Sequence, residues 1–159
     1  MKYTLIEHSA HKPTSLDCKY FLPKEAFADK IDVLVISFFG VYPDGSLGKD
    51  HAKYISKKAI CGIIDFNPDV IVLDFRGLTY RWGNSLLRVF DDISMFKDGG
   101  NDEGEANFPI LVVSSSTCKD GLQSLLTPAS STSVPDYLFE DIDIAIKTAA
   151  ERGKYWLDH

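Results

Sequence analysis

"DVIVLDFRGLTYRWGNSLLRVFDDI", Asp69–Ile93, passes from an apolar run through a short loop into an amphipathic segment. The run "DVIVLDF" is built from Val, Ile, Leu and Phe, which predicts a strand. Beyond the loop, Leu86, Val89, Phe90, Ile93 and Phe96 recur at helical spacing and form one stripe. Asn84 is placed to be the N-cap of that helix, and Gly99 or Gly100 its stop. A strand feeding a helix in this way is the unit of an α/β fold. The loop itself, "RGLTYRWGN", gathers two arginines, two large aromatics and two glycines in nine residues.

The same unit recurs on both sides. Upstream, "DVLVISFFG" is a strand closed by Gly40, and "VYPDGSLG" is a turn. "KDHAKYISKKAICGIIDF" then puts Ala52, Ile55, Ala59 and Ile63 on one helical face and its lysines mostly off it. That helix stops before Asn67-Pro68, because a residue preceding proline avoids the helical region. Downstream, "KDGGNDEGEAN" is a solvated acidic loop whose acids lack calcium-loop spacing. "FPILVVSS" is a strand, "KDGLQSLL" a short helix, "VPDYLF" a last strand, and "EDIDIAIKTAAERG" a closing helix ended by Gly153. At the start of the chain, "KYTLIEH" and "DCKYFLP" are short strands in a hairpin or extension, and "KEAFADKI" is a short helix. The expected fold is a single α/β domain over residues 1–159, with an N-terminal hairpin or extension at 1–30 and a core at 31–153. Its sheet is mixed or mostly parallel, with about four to six strands and helices packed on it.

The bulk numbers narrow the function. Seventeen basic against 23 acidic residues give a net charge of −6, which disfavours nucleic acid and anionic membrane and suits a protein partner with a basic face. Cys18, Cys61 and Cys118 are far apart, with no metal-ligand or disulfide spacing, so no metal, no cofactor and a reducing cytoplasmic setting are expected. No apolar run approaches the length needed to span a bilayer.

In order, these segments resemble a STAS domain, the fold of anti-sigma-factor antagonists, over roughly residues 31–152. "VLVISFFG" is similar to the family's Gly-terminated strand, and "LDFRGLTY", Leu73–Tyr80, to its LDLSG-V-T-F strand. "VPDYLFEDIDIAI" is similar to its closing segment. The resemblance implies regulation by protein–protein contact. It also implies an acidic residue and then a kinase-target serine at the start of the following helix. By position those fall at Trp82 and at Gly83 or Asn84, none of which fits, and Ser85 lies one step beyond. The implied role is therefore binding without a phosphorylation switch. The strand–helix units also resemble the ClpP/crotonase superfamily, which would make Ser114, Ser115 or Ser116 a nucleophile. The histidines are His8, His11, His51 and His159, none in a later strand–helix unit, so that resemblance implies a degenerate hydrolase or acyl-CoA enzyme.

Individual residues keep two readings. Arg76 and Arg81 either grip an anion or a partner's carboxylates, or pair with nearby acids such as Asp74. Tyr80 and Trp82 either cover the end of the core or form exposed interface anchors. Ser114–Thr117 serve as turn and cap residues for the next helix, and Asp74 orders the loop backbone. The expected function is a non-catalytic, STAS-like regulator that binds another protein through Arg76, Tyr80, Arg81, Trp82, Asn84 and Ser85. A small immunity or inhibitor protein that neutralises a toxic enzyme also fits the acidic charge and compact size.

Overall fold

A computed structural model describes all residues, Met1–His159. Five strands form one sheet in chain order: β1 (Leu16–Phe21), β2 (Val33–Val41), β3 (Val70–Thr79), β4 (Ile110–Val113) and β5 (Leu138–Phe139). The β2–β3, β3–β4 and β4–β5 pairs are parallel, and β1 joins β2 antiparallel, so the sheet is mixed. Four α-helices complete the domain: α1 (Lys49–Phe66), α2 (Leu87–Asp98), α3 (Lys119–Leu126) and α4 (Ile142–Asp158). Short 3₁₀ turns at Ala28–Lys30, Gly45–Gly48 and Asn84–Leu86 lie between them.

Strand parity sorts the apolar residues into two layers. Leu34, Ile36 and Phe38 of β2 and Ile71, Leu73 and Phe75 of β3 face α1, α2 and α3 in the larger core. Their neighbours Val33, Val35, Val70 and Val72 face α4, through Ala145 and Ala149, in a smaller one. Both faces of the central strands are therefore covered, as their continuous apolar runs require. α4 covers only part of its face. Near β1 and the end of β2 that face is open, with Phe21, Leu22, Phe39 and Val41 exposed.

A bulge decides what the Arg76–Asn84 stretch does. Ser37 pairs with Asp74, but Phe39 pairs with Gly77, so β3 carries one extra residue there. An extra residue reverses side-chain parity beyond it. Asp74 and Arg76 lie on the open face, whereas Leu78 and Tyr80 turn back into the helix-covered core. β3 runs on to Thr79, so half of the expected loop is strand.

Several expectations change. "KYTLIEH" is not a strand in a hairpin; β1 takes its ladder from β2 and leaves that segment exposed. "KEAFADKI" gives only the 3₁₀ turn, broken by positive φ at Asp29 and Lys30. The last strand shrinks to Leu138–Phe139. Asn84 is not the N-cap of α2: it opens the preceding 3₁₀ turn, and no side chain caps the helix. Phe96 lies off the buried stripe and is exposed. Gly153 does not end α4, which continues to Asp158. That glycine permits close packing instead, since a Cβ there would stand 2.9 Å from Ile31 Cγ2 and 3.1 Å from Val70 Cγ1. The α1 stop holds, with Asn67 taking the left-handed cap conformation just before Pro68. Asp141 caps α4 by accepting from the Asp143 and Ile144 amides.

Candidate partner-binding surface

The loops after β2, β3 and β4 meet at one end of the sheet. Main-chain bonds weld them: Tyr42 N–H donates to Thr79 O at 2.8 Å, Gly45 N–H to Trp82 O at 3.1 Å and Tyr80 N–H to Thr117 O at 3.1 Å. Beneath them Tyr80 is only 2% exposed and packs edge-on against Tyr42 with ring centroids 5.2 Å apart. Its hydroxyl donates to Gly83 O at 2.9 Å, satisfying the buried polar tip. Burial pushes the Tyr80 phenol up to about 12. Tyr80 is thus the floor of this end and offers no ring to a partner.

Trp82, two residues on, takes the opposite position at 62% exposed. Its ring lies on Gly45, where a Cβ would stand 2.8 Å from Trp82 Cη2. Gly83 has φ 138°, and a Cβ on it would lie 3.0 Å from Gly45 O. Only glycine meets both demands, so the turn needs Gly83 to bring the indole onto Gly45. Beside it Arg81 pairs with Asp44. Asn84 is exposed at the rim, and Ser85 is half-buried with its Oγ 2.8 Å from the Tyr42 hydroxyl. Leu47 and Leu87 add exposed apolar area on the adjoining elements. The result is a fixed aromatic plate with a charged pair at its edge.

Arg76 belongs elsewhere. It lies on the open sheet face, where Nε donates to Asp74 Oδ1 at 2.9 Å and Nη2 to Oδ2 at 3.1 Å. Ser37 Oγ donates to Asp74 Oδ2 at 2.7 Å, and the Arg76 amide to Oδ1 at 3.1 Å. Burial alone would raise the Asp74 pKa, but these bonds outweigh it and hold the carboxyl below its ordinary value. The cluster floors a groove of about 460 Å³ walled by Phe21, Leu22, Phe39, Ile142 and Ile146. The sequence reading missed this groove, although Phe39 and Val41 at the end of an apolar strand were a visible hint.

The serine-rich turn after β4 is an anchor. Ser115 Oγ donates to Arg76 O at 2.7 Å and Thr117 Oγ1 to Leu78 O at 2.8 Å, tying the turn to the bulged end of β3. α3 has Cys118 at its N-cap position and no side-chain cap bond. Burial raises the Cys118 thiol, which donates to Phe75 O. One Ser–His contact was not legible in the sequence: Ser15 Oγ lies 2.8 Å from His51 Nε2. Ser15 gives its own proton to Val41 O at 2.9 Å, so His51 donates to Ser15 instead of accepting from it.

No family model matches the chain, and no curated protein matches it. Among solved structures it is similar to an anti-sigma factor antagonist from Mycobacterium paratuberculosis, with 16% identity and a TM-score of 0.47. The match covers 84% of this chain and 94% of that one. No helix is long and apolar enough to cross a membrane.

Proposed function

We propose that this protein is a binding domain, a STAS-like regulator that acts by contact with another protein and without a phosphorylation switch. The observation that carries the reading is Trp82: a large indole, mostly exposed, yet fixed on Gly45 by a glycine-dependent turn. An aromatic held rigid before binding loses little conformational freedom when a partner covers it, which is the property of an interface anchor. Arg81 and Asn84 at its rim supply polar contacts, and Ser85 supports the plate through Tyr42. The chain's net charge of −6 favours a partner with a basic face. A contact role also suits the hydroxyls of Ser115 and Thr117, which are spent on main-chain carbonyls, and the buried Cys118 thiol.

The test is affinity capture with Trp82→Ala and Arg81→Ala beside the unaltered chain. A partner held by the unaltered protein should be lost with Trp82→Ala and weakened with Arg81→Ala by an amount that shrinks as salt is raised. Equal recovery by all three would refute this surface. Ester or thioester hydrolysis by the purified protein that is abolished by Ser116→Ala would refute the non-catalytic reading.

A further inference from the structure

The first strand of the sheet has a free edge, and the chain carries a strand-patterned segment that is not used. Val41 N–H donates to Ser15 O across the β1–β2 ladder. Antiparallel pairing alternates, so Asp17, Lys19 and Phe21 turn their main-chain groups toward β2. Leu16, Cys18 and Tyr20 turn theirs outward. Lys12 Nζ already donates to Leu16 O at 3.0 Å, leaving the amides and carbonyls of Cys18 and Tyr20 as the open edge.

Upstream, residues 1–12 are all exposed, and none makes a main-chain hydrogen bond outside regular structure. They include Tyr3, Leu5 and Ile6, large apolar side chains that a monomer leaves in water. Lys12 bonds to Leu16 and Asp17, Pro13 is buried, and Ser15 is held by His51. The connector is thereby fixed at the base of β1 while the segment before it is free.

We propose that Leu5–His8 adds as an antiparallel strand to the β1 edge of a second copy of this chain, with the exchange made reciprocally. One register satisfies the side chains on both faces. Ile6 opposite Tyr20 and His8 opposite Cys18 exchange the outward main-chain bonds. Leu5 then lies against the exposed Phe21, and Glu7 against Lys19, which sits over the Phe39 ring at the open face. Ile6 meets Tyr20 on the helix side, where the Tyr20 hydroxyl is fixed to Lys58 O at 2.6 Å. Opposite charges and apolar pairs across a ladder both favour it. Exchange of identical segments gives a closed two-fold pair, and pairing removes an exposed edge that otherwise invites uncontrolled association.

The experiment is light scattering on the full chain across a concentration series, with hydrogen exchange read at the Cys18 and Tyr20 amides. The expected result is a mass that rises to twice the monomer, with both amides protected in the dimer. Glu7→Lys or Lys19→Glu alone should weaken the dimer by about 3- to 10-fold in Kd, and the double reversal should restore it. Ile6→Pro, which removes the donating amide, should leave a monomer whose far-ultraviolet spectrum and melting match the monomeric parent, because the segment supports no part of the body. A monomeric mass at every concentration overturns the proposal, whether the amides exchange freely or are protected by the chain's own segment. A dimer that survives Ile6→Pro overturns it as well.

Discussion

Arg76 and Arg81 belong to one short stretch, and each grips a carboxylate, yet they serve two different regions. Arg76 holds Asp74, whose side chain is 6% exposed, and so closes an electrostatic hole in the middle of the sheet face. Arg81 holds Asp44 in solvent, with its own side chain 73% exposed. The same split separates the aromatics, since Tyr80 is sealed under the loop and Trp82 lies on top of it. One stretch thus contains a structural tier facing the protein and an exposed tier facing outward, which is the proposed contact tier. The bulge between Ser37 and Phe39 is what assigns residues to tiers, because it reverses parity after Arg76.

Breaking the structural tier should cost most. Tyr80→Ala removes a buried ring and its bond to Gly83, and should destabilise the domain by about 3–5 kcal/mol in urea unfolding. Arg76→Ala should come next, at about 1–2 kcal/mol, because it strips a buried carboxylate of its charged partner while the arginine side chain itself is half exposed. This loss should depend on pH. The Asp74 pKa is lower folded than unfolded, so its stabilising contribution is present above the unfolded value of about 4 and fades as pH falls through the folded one. Unfolding curves of the parent and of Arg76→Ala should therefore lie far apart at neutral pH and converge in strong acid.

The contact tier should respond the other way round. Trp82→Ala should change stability by less than about 1 kcal/mol, since most of the indole is already in water, but should remove partner binding. Arg81→Ala should have the smallest effect, with melting unchanged and a loss of binding that shrinks as salt is raised. If Trp82→Ala destabilises as much as Tyr80→Ala, the division into tiers fails.

Much of this was written in the sequence, and the failures have physical causes. The Ala52, Ile55, Ala59 and Ile63 stripe placed α1 end to end, and the apolar runs placed the three central strands, because burial repeats with the period of each element. The extension of β3 through Gly77 was hidden, since a bulge glycine and a turn glycine look alike in one dimension. For the same reason Tyr80 and Trp82 shared one reading. Parity alone would have put Tyr80 on the face of Arg76, and only the partner strand reveals the reversal. Gly153 misled in a related way: it permits contact with Ile31 and Val70 inside α4 where its position suggested a helix end. Asn84 had the chemistry of a cap but met a 3₁₀ turn. The groove over Asp74 and the Ser15–His51 contact join residues distant in the chain, which no local pattern records.

The central claim is that Trp82 marks the partner-facing surface. It is tested most directly by placing a photo-activated cross-linking residue at position 82, with a second chain carrying it at Met95, an exposed position on α2. Irradiation in an extract of the native cells should give a discrete protein adduct from position 82 and none of that mass from position 95. The same adduct from both positions, or none from position 82 while the protein is folded, would contradict the claim.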